Sequence, residues 1–345
     1  MKISLEVEGF SLDNTLRPSF ISSLYQRVEP LRWVKIAGYL GGQLELRQSR
    51  PGLLEVRCEA RLTEKALRRR VLFEAGLWRG PYEELIKGLP EAMKPQVEAL
   101  ARVYPGVRVP IAPLDFTYIL VAVGLSKRAD YDRSVLGWCH GVWERFDGNI
   151  YKIASCSADK LREVGTSYQI LQLPDIVRSF IELPKNLPER VSELFGVPHV
   201  PAEEFILLLS PELARLSLIH GCWGLGPKMA DSIVLSTFKA THFIPCDVHL
   251  RSVAQRLNLV DVEGAKMPSK RLCSLYVCDE ETSRQFDIPL CPLSKSGGCI
   301  RARFAPLGLL GGWLQTLTYL HGRAYCRTLA PRCGECPLKR VCSGP

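Results

Sequence analysis

The stretch from Leu216 to Leu259 restricts the fold more than any other part of the chain, because it reads helix, tight glycine hairpin, helix, loop, helix. Ser210-Pro211-Glu212 opens the first helix with a capping hydroxyl, a proline in the first turn and an acid at the positive end of the dipole. Gly221, Gly224 and Gly226 break that helix and supply the backbone freedom a hairpin needs. Pro227 then opens a second helix, on which Met229, Ala230, Ile233 and Val234 share one side. Asp247, in Pro245-Cys246-Asp247-Val248-His249, is placed to cap a third.

This arrangement has a chemical consequence. Free amides of the hairpin and of the second helix's first turn suit a phosphate. Lys228 lies in that turn, where the dipole and burial both disfavour its charged form, and a neutral lysine is a nucleophile. Asp247 follows about 19 residues later and could take a proton or face a developing cation. Alone, a first-turn lysine is ordinarily solvated and Gly-x-Gly is ordinarily a turn. In combination the residues resemble the helix-hairpin-helix, glycine/proline-Asp superfamily of DNA glycosylases. The resemblance implies that the hairpin, through Gly224, Gly226 and His249, grips DNA backbone. It also implies that Lys228 attacks the sugar and that Asp247 is the second catalytic group. Lysine at this position marks the bifunctional glycosylase/lyase branches. Trp223 stands where a proline is common.

Alternation in Lys2–Val7, Gln43–Arg47 and Leu53–Ala60, with Gly41-Gly42 and Pro51-Gly52 between, predicts an antiparallel sheet with one solvated face. Such a sheet occurs in the 8-oxoguanine and alkylation-repair branches. Phe10–Leu16 resembles the opening of that domain in the 8-oxoguanine branch, but Arg17-Pro18-Ser19-Phe20 replaces the family's next motif, a Gly-Gln-x-Phe-Arg-Trp segment. Helices are expected over 90–103, with the regular part starting at Pro95, from an Asp115 cap through Val123, and from Ser134 to Phe146. Ser126–Arg133 between the last two is polar and basic. In the family the loop here wedges the minor groove, which nominates Tyr131 and Arg133; a solvated helix junction reads equally well. Gly165–Tyr168 resembles the family's Gly-x-x-Tyr turn, and the proline-rich 182–202 reads as a connection with short helices.

A helix from Leu307 to His321 follows a glycine-rich approach, and Gln315 and Tyr319, four apart, share a face. An amide for a base edge and a ring for stacking are what a flipped-base pocket requires. Gly312-Trp313-Leu314-Gln315 followed by Tyr319 resembles the pocket helix of 8-oxoguanine glycosylases, where the neighbouring cysteine of the family is replaced by Ser232. An amphipathic packing helix is the plainer reading.

Thirteen cysteines without a secretion signal favour metal ligation over disulfides, hyperthermophile cytosol excepted. Cys326, Cys333, Cys336 and Cys342 have the spacing C-x6-C-x2-C-x5-C, which resembles the [4Fe–4S] loop of endonuclease III and the adenine mismatch glycosylases. Arg323, Arg327, Arg332, Lys339 and Arg340 surround it and are expected against DNA phosphates. Cys273, Cys278, Cys291 and Cys299, spaced C-x4-C-x12-C-x7-C, match no standard zinc pattern. A zinc site and scattered core or disulfide cysteines both remain open.

The expected fold is therefore α+β. An N-terminal antiparallel sheet domain takes 1–108, and a helical domain with the helix-hairpin-helix motif (210–238) takes 109–262. A C-terminal segment, 263–345, carries the pocket helix and cysteines. The expected function is base-excision repair: a DNA glycosylase and AP lyase acting on a damaged purine, 8-oxoguanine first. A glycosylase for oxidised pyrimidines, alkylated bases or mismatches, and a non-catalytic nucleic-acid-binding metalloprotein, are the alternatives. The partner is double-stranded DNA, which the net charge of +9 suits. No apolar run reaches membrane-spanning length, and Met1-Lys2-Ile3-Ser4 lacks a signal pattern, so an intracellular monomer (cytoplasm or nucleoid) is expected.

Overall fold

A computed structural model of the chain describes residues 1–327 and 329–344. Five strands form near the N-terminus: β1 (Lys2–Glu6), β2 (Tyr25–Glu29), β3 (Arg32–Lys35), β4 (Leu44–Arg50) and β5 (Leu53–Cys58). They make one antiparallel sheet in the order β1-β5-β4-β3-β2. Ile3 stands opposite Val56, Leu5 opposite Leu54 and Leu46 opposite Val56, so one face carries a continuous apolar layer. Alternation predicts β1, β4 and β5. It does not signal β2, in which Tyr25 alone is buried.

Helices make up the rest. Those that position the site are α1 (Glu64–Glu74), α2 (Lys94–Val103), α3 (Phe116–Leu125), α4 (Leu136–Phe146), α5 (Pro211–Gly221), α6 (Pro227–Thr237), α7 (Val248–Arg256) and α8 (Gly311–Ala324). The architecture is α+β. Its buried apolar side chains form one cluster, running from Ile3 in the sheet through α3 and α6 to Leu338. No helix among the described residues is long and apolar enough to cross a membrane.

Two helix starts differ from expectation. Asp115 precedes α3 but caps nothing with its side chain. Its carboxylate is buried on Lys35, at 2.7 Å, and accepts from the Tyr39 amide. The expected helix from Ser134 begins instead with a wide turn over Tyr131–Val135, and α4 starts at Leu136. Likewise α8 starts at Gly311, after a tight turn from Ala305 to Leu310 in which Gly308 takes a positive φ.

The sheet is fastened to the helices by charge. Lys35 of β3 is fully buried, 2.8 Å from Glu74 of α1 and 2.7 Å from Asp115. Tyr25 also donates to Glu74. Burial raises the Glu74 pKa, and Lys35 opposes the shift. A buried ammonium needs such partners, so this triad fixes where β3, α1 and the start of α3 meet.

Candidate active site

The hairpin forms as its residues require. Ser210 caps α5 by accepting from the Leu213 amide. Gly224 holds φ at +75°, a conformation that other residues take only with strain. Gly226 precedes α6 with no side-chain cap, leaving the first-turn amides free. Both glycines stand half-buried, with the exposed Trp223 beside them.

Lys228 projects from that first turn into a cavity of about 420 Å³. Asp247 begins α7 on the same cavity, one carboxylate oxygen accepting from the Leu250 amide at 2.7 Å. Burial lowers the Lys228 pKa, and the Asp247 charge partly restores it. The Lys228 ammonium also lies 5.4 Å from the Phe20 ring centre, a contact that favours the charged form.

The opposite wall comes from α8. Gly312 lets this helix approach, since a methyl group there would come within 2.4 Å of a Leu235 methyl. Gln315 and Tyr319 face the cavity together, as their spacing predicts. The Gln315 amide donates to the second Asp247 oxygen at 3.2 Å, so it is tied to the acid as well as turned toward the cavity. Burial pushes Tyr319 up to about 12. Its hydroxyl accepts from Arg323 at 3.0 Å, and His249 packs edge-on to its ring at 5.5 Å. His249 is thus a half-buried wall residue, and burial lowers its pKa. Ser232 is buried at the cavity base with its hydroxyl donating to the Lys228 carbonyl.

The loop between α3 and α4 supplies the rim. Arg133 is exposed there. Tyr131 is not: it is 7 % exposed, its hydroxyl is bonded at Ser22, Ser19 and Phe20, and its ring meets Phe20 edge-on. It lines the cavity wall and does not project as a wedge. Arg323, expected against phosphates, is engaged within the protein by Asp130 and Asp132 at 3.2 and 3.1 Å. Pro18, Ser19 and Phe20 also line the cavity. They stand where the glycosylase motif is missing, and no periodicity marks them, because a short turn contacts the helices through a fold that the local sequence does not encode.

The C-terminal cysteines gather around Arg256 and His321. Arg256 stands 3.2 Å from the Cys326 sulfur, Cys342 donates to the Arg256 carbonyl at 3.4 Å, and the Cys336 sulfur is 3.4 Å from His321 Nε2. Burial pushes the Cys336 thiol up, and Cys342, Cys326 and Cys333 add to the shift. Four thiols on one patch are a donor set that suits an iron–sulfur cluster. They are not drawn to ligand spacing: among the described residues, no three His, Cys, Asp or Glu side chains are arranged to hold a metal ion. Cys273, Cys278, Cys291 and Cys299 are likewise free thiols in this structure.

Solved structures share this architecture. The 8-oxoguanine glycosylase/lyase of Clostridium acetobutylicum, in complex with double-stranded DNA containing cytosine opposite 8-oxoG, superposes with a TM-score of 0.61 at 16% identity. The match covers 94% of this chain and 97% of that one. The chain shares that enzyme's fold. The 3-methyladenine DNA glycosylase of Archaeoglobus fulgidus gives a TM-score of 0.58 at 15% identity, over 96% of this chain and 100% of that one. No family model and no curated protein matches the sequence. Both matches span nearly the whole length of the neighbour.

Proposed function

We propose that the chain is a base-excision DNA glycosylase with AP lyase activity, acting on a flipped, damaged purine, 8-oxoguanine before other lesions. The observation that carries this reading is one cavity holding Lys228, lowered in pKa by burial, together with Asp247, Gln315, Tyr319 and Ser232. A pure DNA-binding protein has no use for a desolvated amine beside a carboxylate. The first neighbour's glycosylase/lyase activity supports the assignment, and the second neighbour keeps alkylated bases as the rival substrate class.

The target nucleotide leaves the stack and enters the cavity, where Tyr319 offers a ring face and Gln315 and Ser232 offer polar contacts. The neutral Lys228 amine attacks C1′ of the deoxyribose. The bond from C1′ to the base breaks, and its electron pair leaves with the base, which takes up a proton. Asp247 accepts the proton shed by the lysine nitrogen and offsets positive charge on the sugar. Ring opening gives a Schiff base between Lys228 and C1′. Loss of a C2′ proton then expels the 3′ phosphate by β-elimination. Free amides after Gly226, and the open hairpin at Gly224, hold backbone phosphates. Arg133 at the rim meets the duplex at the vacated position.

Cys326, Cys333, Cys336 and Cys342 would hold a [4Fe–4S] cluster. When bound, it supplies a rigid anchor for the chain after α8. Base removal itself uses only this chain's side chains.

The test is a panel of duplexes carrying 8-oxoguanine, an oxidised pyrimidine, an alkylated purine or no lesion, with borohydride present to trap the Schiff base. Trapping on 8-oxoguanine that Lys228→Gln abolishes is the expected result. Trapping that survives this substitution rejects the nucleophile, and preference for another lesion rejects the substrate.

A further inference from the structure

Residues 263–304, between α7 and α8, hold together on very little. The segment's helices are Lys270–Cys273, Glu280–Phe286, Pro292–Lys295 and Ile300–Arg303, and its bridges are the isolated pairs Lys266–Cys299 and Val277–Leu290. Its buried aliphatic and aromatic side chains are Ala265, Val277, Ile288, Ile300 and Phe304. Segments of roughly 40 residues rarely fix their shape on a core of that size without a covalent or metal staple. The thiols here are free in this structure.

The four cysteines collect where the bridges are. The Cys291 amide donates to the Val277 carbonyl at 2.9 Å, and the Ser294 hydroxyl donates to the Cys278 carbonyl at 2.6 Å, which sets Cys278 and Cys291 side by side. Cys273, Cys291 and Cys299 are buried at 5, 5 and 8 % exposure. The sulfurs act on one another electrostatically: Cys278 on Cys273, and Cys278 and Cys291 on Cys299. Burial raises the Cys299 pKa, and the amides of Arg301 and Ala302, directed at its sulfur, oppose that shift.

Positive charge faces this group. Arg215 of α5 and Arg301 are both inside the protein, with side chains 4 and 14 % exposed, and they share one carboxylate, Asp231 of α6, at 2.5 and 3.7 Å. The nearby Glu212 is bonded to His242 at 2.8 Å. Arg215 Nη2, Arg301 Nε and Asp231 Oδ2 have no hydrogen-bond partner among the described residues. Cys273 and Cys278 both act on Arg215, and Cys278 acts on Arg301. Two buried guanidiniums with one shared carboxylate and open donors call for an anion.

We propose that Cys273, Cys278, Cys291 and Cys299 form a second metal centre, a tetrathiolate site for a soft metal such as zinc, seated against Arg215 and Arg301. Four thiols and a divalent ion give a dianionic complex and release four protons. The dianion offsets the two guanidiniums. The sulfurs stand apart from ligand spacing in this structure. They lie on short helices and turns. The inference does not rest on the glycosylase reading.

Elemental analysis of the purified full chain tests it, comparing wild type with Cys278→Ser/Cys291→Ser and with Cys333→Ser/Cys336→Ser. The expected result is a complement of zinc or iron that the first variant loses and the second keeps; which element is lost tells zinc from an iron–sulfur centre. If the first variant is insoluble, cobalt titration of the metal-stripped second variant decides. A thiolate-to-cobalt band saturating near one ion per chain supports the site. Unchanged metal content in a soluble Cys278→Ser/Cys291→Ser chain, or no cobalt band, overturns it.

Discussion

Gln315→Ala separates two roles for one amide. In the structure the amide donates to Asp247 at 3.2 Å, while the other Asp247 oxygen keeps its 2.7 Å bond from Leu250. Hydrogen bonds to a charged acceptor contribute about 1.5–3 kcal/mol. This one is long and half-buried, and Asp247 retains its second anchor, so the low end applies: about 1.5 kcal/mol, or roughly tenfold in rate. The assay is single-turnover borohydride trapping on a duplex with an abasic site, where there is no base to read. If Gln315 holds the acid in place, Gln315→Ala slows trapping on the abasic duplex by that factor and slows the 8-oxoguanine duplex further. If abasic trapping is unchanged while the lesion reaction slows, Gln315 only reads the base, and the positioning argument is refuted. Binding to undamaged duplex, measured alongside, should not move in either case.

Other outcomes follow from the same geometry. Lys228→Gln should abolish trapping and strand cleavage while leaving the thermal midpoint and circular dichroism near wild type; lost structure would void the comparison. Trapping should accelerate as pH rises, because only the neutral amine attacks. Burial lowers the Lys228 pKa, so the rate should level off below pH 10.5, where an ordinary lysine titrates; a rise that continues to that pH would contradict burial as the cause. Lys35→Met should destabilise the fold by about 3–5 kcal/mol in urea, since it strands Glu74 and Asp115 as buried carboxylates; a change under about 1 kcal/mol would show them protonated or hydrated.

The sequence by itself determined the hairpin and its two helices, because glycines, a proline and capping side chains act over a few residues and need no distant partner. It also determined β1, β4 and β5, whose alternation is local, and the shared face of Gln315 and Tyr319, which helical spacing dictates. Only the tertiary structure decided what long-range packing sets. It took Asp115 away from its expected capping role and gave it to Lys35, a residue 80 positions earlier, because a buried ammonium is the stronger claim on a carboxylate. It turned Tyr131 inward against Phe20 and left Arg133 at the rim. It tied the Gln315 amide to Asp247, 68 residues away, a contact made where α8 packs against α7, with Gly322 leaving room for the His249 ring.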